Sequence, residues 1–141
     1  GGIGLSANQG GLPFNMFVRG DHPDVEKGLK MTCFNPIIIS SSVEEEVMKE
    51  GCLTFPFVFL NITRPRKVVV KYEDENGDLK EGSLDGMISR VFQHEYDHML
   101  GRVFNVDTAE NYINNMLKFA ANIQKNGIAN YLVTFNKNYL I

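Results

Sequence analysis

Cysteine is scarce in this 141-residue chain, which has only Cys33 and Cys52. Two cysteines do not make the disulfide framework of a small secreted protein. A reducing, cytoplasmic setting is expected, with each thiol available for packing or for metal. Long apolar runs are missing too. Nothing approaches the roughly 20 residues that cross a bilayer, and there is no signal-peptide core, so no membrane partner is expected. Charge of one sign is not in excess, and a formal net charge of −3 gives no electrostatic reason to expect nucleic-acid binding. There are no repeats and no low-complexity tract. The length suits one domain with a single core. An initiator methionine is lacking as well. The chain opens on "GGIGLSANQ", inside what reads as a functional loop, and is expected to be a fragment, a processed chain or a truncated one.

The patterning predicts strands first and helices later. Residues 1–13 read as a Gly-rich loop. "FNMFVRG" (14–20) reads as a strand with Phe14, Met16 and Val18 alternating onto one face. "MTCFNPIII" (31–39) is β-branched and apolar, and Pro36 argues for an edge strand or a bulge. "VEEEVMKEGCL" (43–53) is ambiguous between helix and irregular strand, with Gly51 and Pro56 favouring the strand. "RKVVVKYEDENGDLKEGSL" (66–84) is the clearest hairpin, two strands joined around Asn76 and Gly77. A helix is expected from an N-cap at Ser83 or Asp85, carrying Met87, Ile88, Val91 and Phe92 at helical spacing and ending at Gly101. A second is expected from Asp107 or Thr108 to Gly127, and the apolar tail 128–141 has no clear placement. The sum is an α+β fold of mostly antiparallel strands with a buried helix.

Histidine is the other rarity. Two of the three histidines fall in "QHEYDHMLG" (93–101). On a helix, residues i and i+4 share a face one turn apart, so His94 and His98 can point both imidazoles at one ion. Glu95 is rotated about 100° from His94, close enough to act on a metal-activated water without being a ligand. A catalytic site of this kind wants a third protein ligand and an open position. Downstream there is no histidine, and Asp107 and Glu110 lie only a short way on. Upstream, His22 sits in a polar turn, and Cys33 in an apolar strand reads as a buried core thiol. Cys52, in "EGCLTFP", is the better candidate. Thiolate with two imidazoles suits hydrolysis of an amide-like carbonyl, with Glu95 moving the proton and nearby amides stabilising an oxyanion.

These residues resemble the peptide deformylases, metallohydrolases that remove the formyl group from the N-terminal methionine of new polypeptides. "GIGLSANQ" (2–9) is similar to the family's first motif, with Ser6 in place of an alanine. "EGCLT" (50–54) is similar to the second, with Thr54 where serine is usual, and "QHEYDH" (93–98) matches the third. The resemblance runs over roughly 1–106.

It implies antiparallel strands packed around a central helix that carries HExxH, followed by a C-terminal helix. It further implies one catalytic domain over 1–141, lacking the segment that the family carries ahead of the first motif. It implies Cys52, His94 and His98 as ligands of one divalent ion, Fe²⁺ with Zn²⁺ or Ni²⁺ as alternatives, and Glu95 as acid/base. Gln9, through its side-chain amide, and Leu53, through its backbone N–H, would stabilise the oxyanion. Ile3 and Gly4 would hold an extended peptide, and Met48, Met87, Val91 and the ring of His94 would line a methionine pocket. Glu50 and Arg64 are expected either to brace the Cys52 strand as a pair or to be solvated surface charges. Asp97 is expected to orient a ligand or the helix. The implied partners are N-formylmethionyl peptides of nascent chains, with the ribosome as neighbourhood. An HExxH endopeptidase and a truncated metal-binding remnant are the alternatives.

Overall fold

The computed structural model describes residues 3–20, 30–52 and 55–102, with Leu117 and Ala121 as single helical residues; the side chains at 52 and 55–58 lie outside that description. In chain order the elements are β1 (Gly4–Ser6), a 3-10 turn (Ala7–Gly10), β2 (Met16–Gly20), β3 (Lys30–Ser41), β4 (Glu45–Cys52), β5 (Phe55–Pro65), β6 (Lys67–Glu73), β7 (Leu79–Asp85) and α1 (Gly86–Met99). Five strands form one sheet in the order β1-β2-β3-β6-β7, and β4 and β5 form a two-stranded ribbon. Every pairing among them is antiparallel. The second expected helix and the 128–141 tail fall outside the described residues, apart from Leu117 and Ala121.

The hairpin forms where alternation is cleanest. In β6, Val68 and Val70 turn inward and are almost fully buried. The chain reverses over 74–78, where Asp74 Oδ1 accepts the N–H groups of Asn76 and Asp78 at 2.9 and 3.0 Å and Gly77 takes a left-handed φ of 80°. Strand β3 shows what Pro36 does. It sits inside the sheet, between β2 and β6, so the edge expectation does not hold. The bulge expectation does: the register with β6 shifts between Phe34 and Ile37, where Asn35 adopts φ 48°. An irregular step is where a residue without an N–H can be carried in an interior strand. Within the 43–53 stretch, Glu45–Cys52 forms strand β4, paired residue for residue with β5 until a register shift between Gly51 and Cys52.

Strand β2 turns its other face inward. Phe14 and Val18 are exposed, while Phe17 and Arg19 are buried. The reason is tertiary: the Phe17 ring meets Phe92 of α1 edge-on, centroids 4.9 Å apart. Phe17, Phe92, Cys33, Val68 and Val70 form the core between sheet and helix. Burial also pushes the Cys33 thiol up to about 12, against the weaker opposing pull of Arg19.

Asp85 is the N-cap residue of α1, but its carboxylate serves Arg66 and Lys67 at 3.1 and 3.3 Å rather than the helix amides. Met87 and Ile88 in the first turn remain exposed, and only Val91 and Phe92 of the expected stripe are buried. From Ser89 to Glu95 every residue is buried, polar ones included. A helix covered on one side only would alternate. Here the sheet covers Phe92, and the β4–β5 ribbon receives Arg90, whose Nη1 donates to Ile62 O at 2.9 Å and whose Nη2 donates to Glu46 O. Gln93 Nε2 donates to Pro65 O at 2.8 Å. The helix ends where expected. Gly101 takes φ 77° and donates its N–H to His98 O at 2.9 Å, a geometry that a Cβ would strain.

Candidate active site

Helix α1 brings His94 and His98 to one face. Their Nε2 atoms lie 2.9 Å apart, and both rings are buried. The other nitrogen of His94, Nδ1, lies 2.9 Å from Glu50 Oε2 on β4. Burial favours the neutral acid of Glu50, but hydrogen bonds from His94 and Arg64 and the charge of Arg64 outweigh it and hold the carboxyl at about 2. An ionised Glu50 can only accept, so His94 Nδ1 carries a proton toward it.

Glu50 is itself fixed by two guanidinium groups. Arg64 reaches it twice, Nε to Oε1 at 2.8 Å and Nη2 to Oε2 at 3.1 Å, and Arg90 Nη1 donates to Oε1 at 2.9 Å. Arg64 also donates to Asp97 Oδ2 at 2.6 Å. Burial lowers the Arg64 pKa, but its bonds to Glu50 and Asp97 raise it by more, so the group stays charged. Of the two expectations for Glu50 and Arg64, the solvated surface pair is overturned: Glu50 is fully buried and the Arg64 side chain is only 11% exposed. Asp97, on α1, is the second carboxylate that Arg64 holds.

Glu95 is completely buried, and β1 passes against it. A Cβ built on Gly4 would fall 2.9 Å from both Cγ and Cδ of Glu95, so only glycine allows the strand this close. Ile3 packs on Val91, and its carbonyl accepts the Gly20 N–H at 2.7 Å. After β1 the chain enters the 3-10 turn, where Gln9 Oε1 accepts the Ser6 N–H at 2.8 Å. A backbone donor fixes which end of the carboxamide faces it, so the Gln9 NH₂ is turned away from Ser6.

The remaining expected residues are spread more widely. Met48 is half-buried on β4 opposite Ile62, and Met87 is exposed on the first turn of α1. Cys52 closes β4, two residues beyond the Glu50 that touches His94. Its side chain, Leu53, His22, Asp107 and Glu110 lie outside the described residues. Arg90 and Asn8 join the site without having been singled out in the sequence, where Ser6 was noted only as a departure from the first motif. For Arg90 a signal was present, a lone charge one helical turn before His94 in an apolar tract.

The donor set fits a divalent cation. Two imidazole nitrogens converge, one ring has its tautomer set by a carboxylate behind it, and this is the outer-shell arrangement of metal-binding histidines. Among the described residues no group of three His, Cys, Asp or Glu side chains could hold a metal by itself.

Comparison with known proteins agrees with this geometry. The family described as polypeptide deformylase matches residues 1–111. The peptide deformylase of Thermotoga neapolitana is 42% identical over 100 residues, covering 71% of this chain and 58% of that protein. The crystal structure of peptide deformylase from Thermotoga maritima is similar at TM-score 0.66 and 41% identity, covering 72% of this chain and 66% of that one. A class I type b peptide deformylase from Acinetobacter baumannii, solved with Met-Ala-Ser bound, is similar at TM-score 0.67 and 29% identity, covering 73% of this chain and 68% of that one. The chain spans about three fifths of the length of the curated relatives it matches. Matched by the family over residues 1–111, with HExxH on a buried helix, His94 anchored on Glu50 and Gly4 pressed against Glu95, the chain belongs to the polypeptide deformylase family.

Proposed function

We propose that this chain hydrolyses the formyl group from the N-terminal methionine of nascent polypeptides, releasing formate. We read residues 1–141 as a single catalytic domain in which the strands pack around α1 as the central helix and a second helix follows. Family membership supports the activity. The observation that carries it to particular residues is the convergence of His94 and His98 Nε2, with His94 Nδ1 anchored on Glu50.

In this reading Cys52, His94 and His98 hold one divalent ion, Fe²⁺ with Zn²⁺ or Ni²⁺ as alternatives. When bound, the ion supplies Lewis-acid activation of water and of the formyl carbonyl near neutral pH. Glu95, walled in by α1 and Gly4, takes the proton of the attacking water and delivers it to the departing nitrogen. The C–N bond breaks, and formate and a free amine result. The Gln9 amide and the Leu53 N–H donate to the oxyanion. Strand β1 is an edge of its sheet, which suits addition of an extended peptide along Ile3 and Gly4. Met48, Met87, Val91 and the His94 ring line the methionine pocket. Met-Ala-Ser, bound in the A. baumannii relative, is what formyl-Met-Ala-Ser leaves after losing its formyl group, which supports the same substrate class here. The setting is the cytoplasm, near the ribosome, where nascent chains emerge. Among the described residues no helix is long and apolar enough to cross a membrane.

The test is formate release from formyl-Met-Ala-Ser by the chain loaded anaerobically with Fe²⁺. Activity should fall by about 10²–10⁴-fold in Glu95→Gln, the usual worth of a general acid/base, and bound metal should be lost in Cys52→Ala. A folded, metal-loaded protein that releases no formate would end this reading.

A further inference from the structure

The geometry points to Asn8 as a positioning residue that latches the turn carrying Gln9 onto the end of the HExxH helix, oriented for that task by Ser6. This rests on the functional reading above for its catalytic consequence, though not for the latch itself.

The latch has three members. The Ser6 side chain is buried, and its hydroxyl donates to Asn8 Oδ1 at 2.8 Å. Asn8 Nδ2 in turn donates to the backbone carbonyl of His98. Both ends of the Asn8 carboxamide are thereby assigned. A hydroxyl can donate to Oδ1, and a carbonyl can only receive Nδ2. The His98 carbonyl is one of the last in α1 and has no further helical turn to serve. It accepts the Gly101 N–H, and Asn8 supplies a second donor from a different part of the chain.

The consequence follows from what lies between the anchors. Gln9 is next to Asn8, and its Oε1 is tied to the Ser6 N–H. Ser6 therefore acts twice, its N–H fixing the Gln9 amide and its O–H fixing the Asn8 amide. Asn8 then ties the whole turn to the residue that supplies an imidazole to the site. Two segments 90 residues apart are thus held in one register at the point where an oxyanion donor and a metal-binding helix have to cooperate. Neither Ser6 nor Asn8 touches substrate in this account, and both act through Gln9.

The test uses the Ser6 amide proton, whose acceptor is the Gln9 side chain, as a reporter that needs neither metal nor turnover. Its exchange with solvent is measured by NMR in the full chain, alongside kcat and KM with formyl-Met-Ala-Ser. Asn8→Ala should speed Ser6 exchange roughly tenfold and leave amides of the β6–β7 hairpin at their wild-type rates. It should lower kcat by about tenfold with KM within about twofold, a fraction of the 10²–10³ that outright loss of an oxyanion donor costs. Adding Ser6→Ala should deepen neither effect, because both residues serve one chain of bonds. Ser6 exchange at the wild-type rate in Asn8→Ala overturns the latch whatever the assay gives. If the wild-type chain releases no formate, the functional reading fails while the exchange rates still decide the latch. If Asn8→Ala does not fold, Ser6→Ala, which removes a single oxygen, gives the same readout.

Discussion

At the scale of single residues, the site is built from close approaches that leave no slack. Gly4 is the sharpest case. In Gly4→Ala the new methyl meets the Glu95 carboxyl group, so strand or carboxylate has to shift. Overpacking of this kind costs about 1–3 kcal/mol. Denaturant unfolding should register that loss, and formate release should fall by more than the unfolded fraction explains. Cys33 makes the opposite kind of residue, inert because it is enclosed. The native thiol should resist alkylation at pH 8 and react on denaturation, which mass spectrometry of the labelled peptides can follow. Its pKa is raised from 9.0 to about 12, so the neutral form is the one the fold favours. The corresponding stability is complete below pH 9 and is lost as pH rises toward 12. Unfolding curves between pH 8 and 11 should be flatter for Cys33→Ala than for the wild-type chain.

At the scale of elements, α1 and the β4–β5 ribbon are joined by charge rather than by apolar packing alone. Glu50 on β4 meets Arg64 on β5 and both Arg90 and His94 on α1. Removing one partner of such a cluster leaves the others buried and uncompensated, at about 3–5 kcal/mol. Glu50→Ala should lose that much in urea unfolding, far more than truncating an exposed glutamate. The acid dependence has a definite sign. The Glu50 pKa is lowered from 4.5 to about 2, so its contribution is present above pH 4.5 and disappears as pH falls toward 2. A Glu50→Gln chain should lack that part of the acid transition.

Legibility in the sequence divided along the same line. The hairpin and the helix could be read because their signals are local: alternating valines, an Asn-Gly turn, a His pair at one-turn spacing and a closing glycine. The inward face of β2 could not. Both faces of "FNMFVRG" carry apolar residues, and the choice was made by Phe92 on a distant helix. The place of β3 inside the sheet was obscured by Pro36, whose missing N–H is accommodated by a bulge rather than by an edge. Glu50 with Arg64 stood evenly poised between brace and surface pair, because burial is a property of the assembled ribbon and helix. Asn8 escaped notice because the acceptor of its amide, His98 O, is a backbone carbonyl, which no side-chain pattern announces.

At the scale of the whole molecule, function and stability share one set of atoms. An ion bound by the folded chain and not by the unfolded one raises stability by RT ln(1 + [L]/Kd), roughly 2.7 kcal/mol at a hundredfold excess over Kd. The thermal midpoint should rise on adding Ni²⁺ or Zn²⁺ and return on chelation. His98→Ala should abolish most of that shift while the far-ultraviolet spectrum stays unchanged. A shift undiminished in His98→Ala would place the ion elsewhere.

One part of the molecule takes no share in this. The tip of the β6–β7 hairpin carries Gly77, around which a Cβ would meet nothing within 4 Å, and β7 is exposed from Leu79 through Ser83. Among the described residues, the groups that gather at the histidines come from β1 and its following turn, from β4 and β5, and from α1. The hairpin tip is therefore a natural handle: an epitope, a fluorophore or a tether for surface immobilisation inserted between Asn76 and Gly77 leaves every bond described at the site in place.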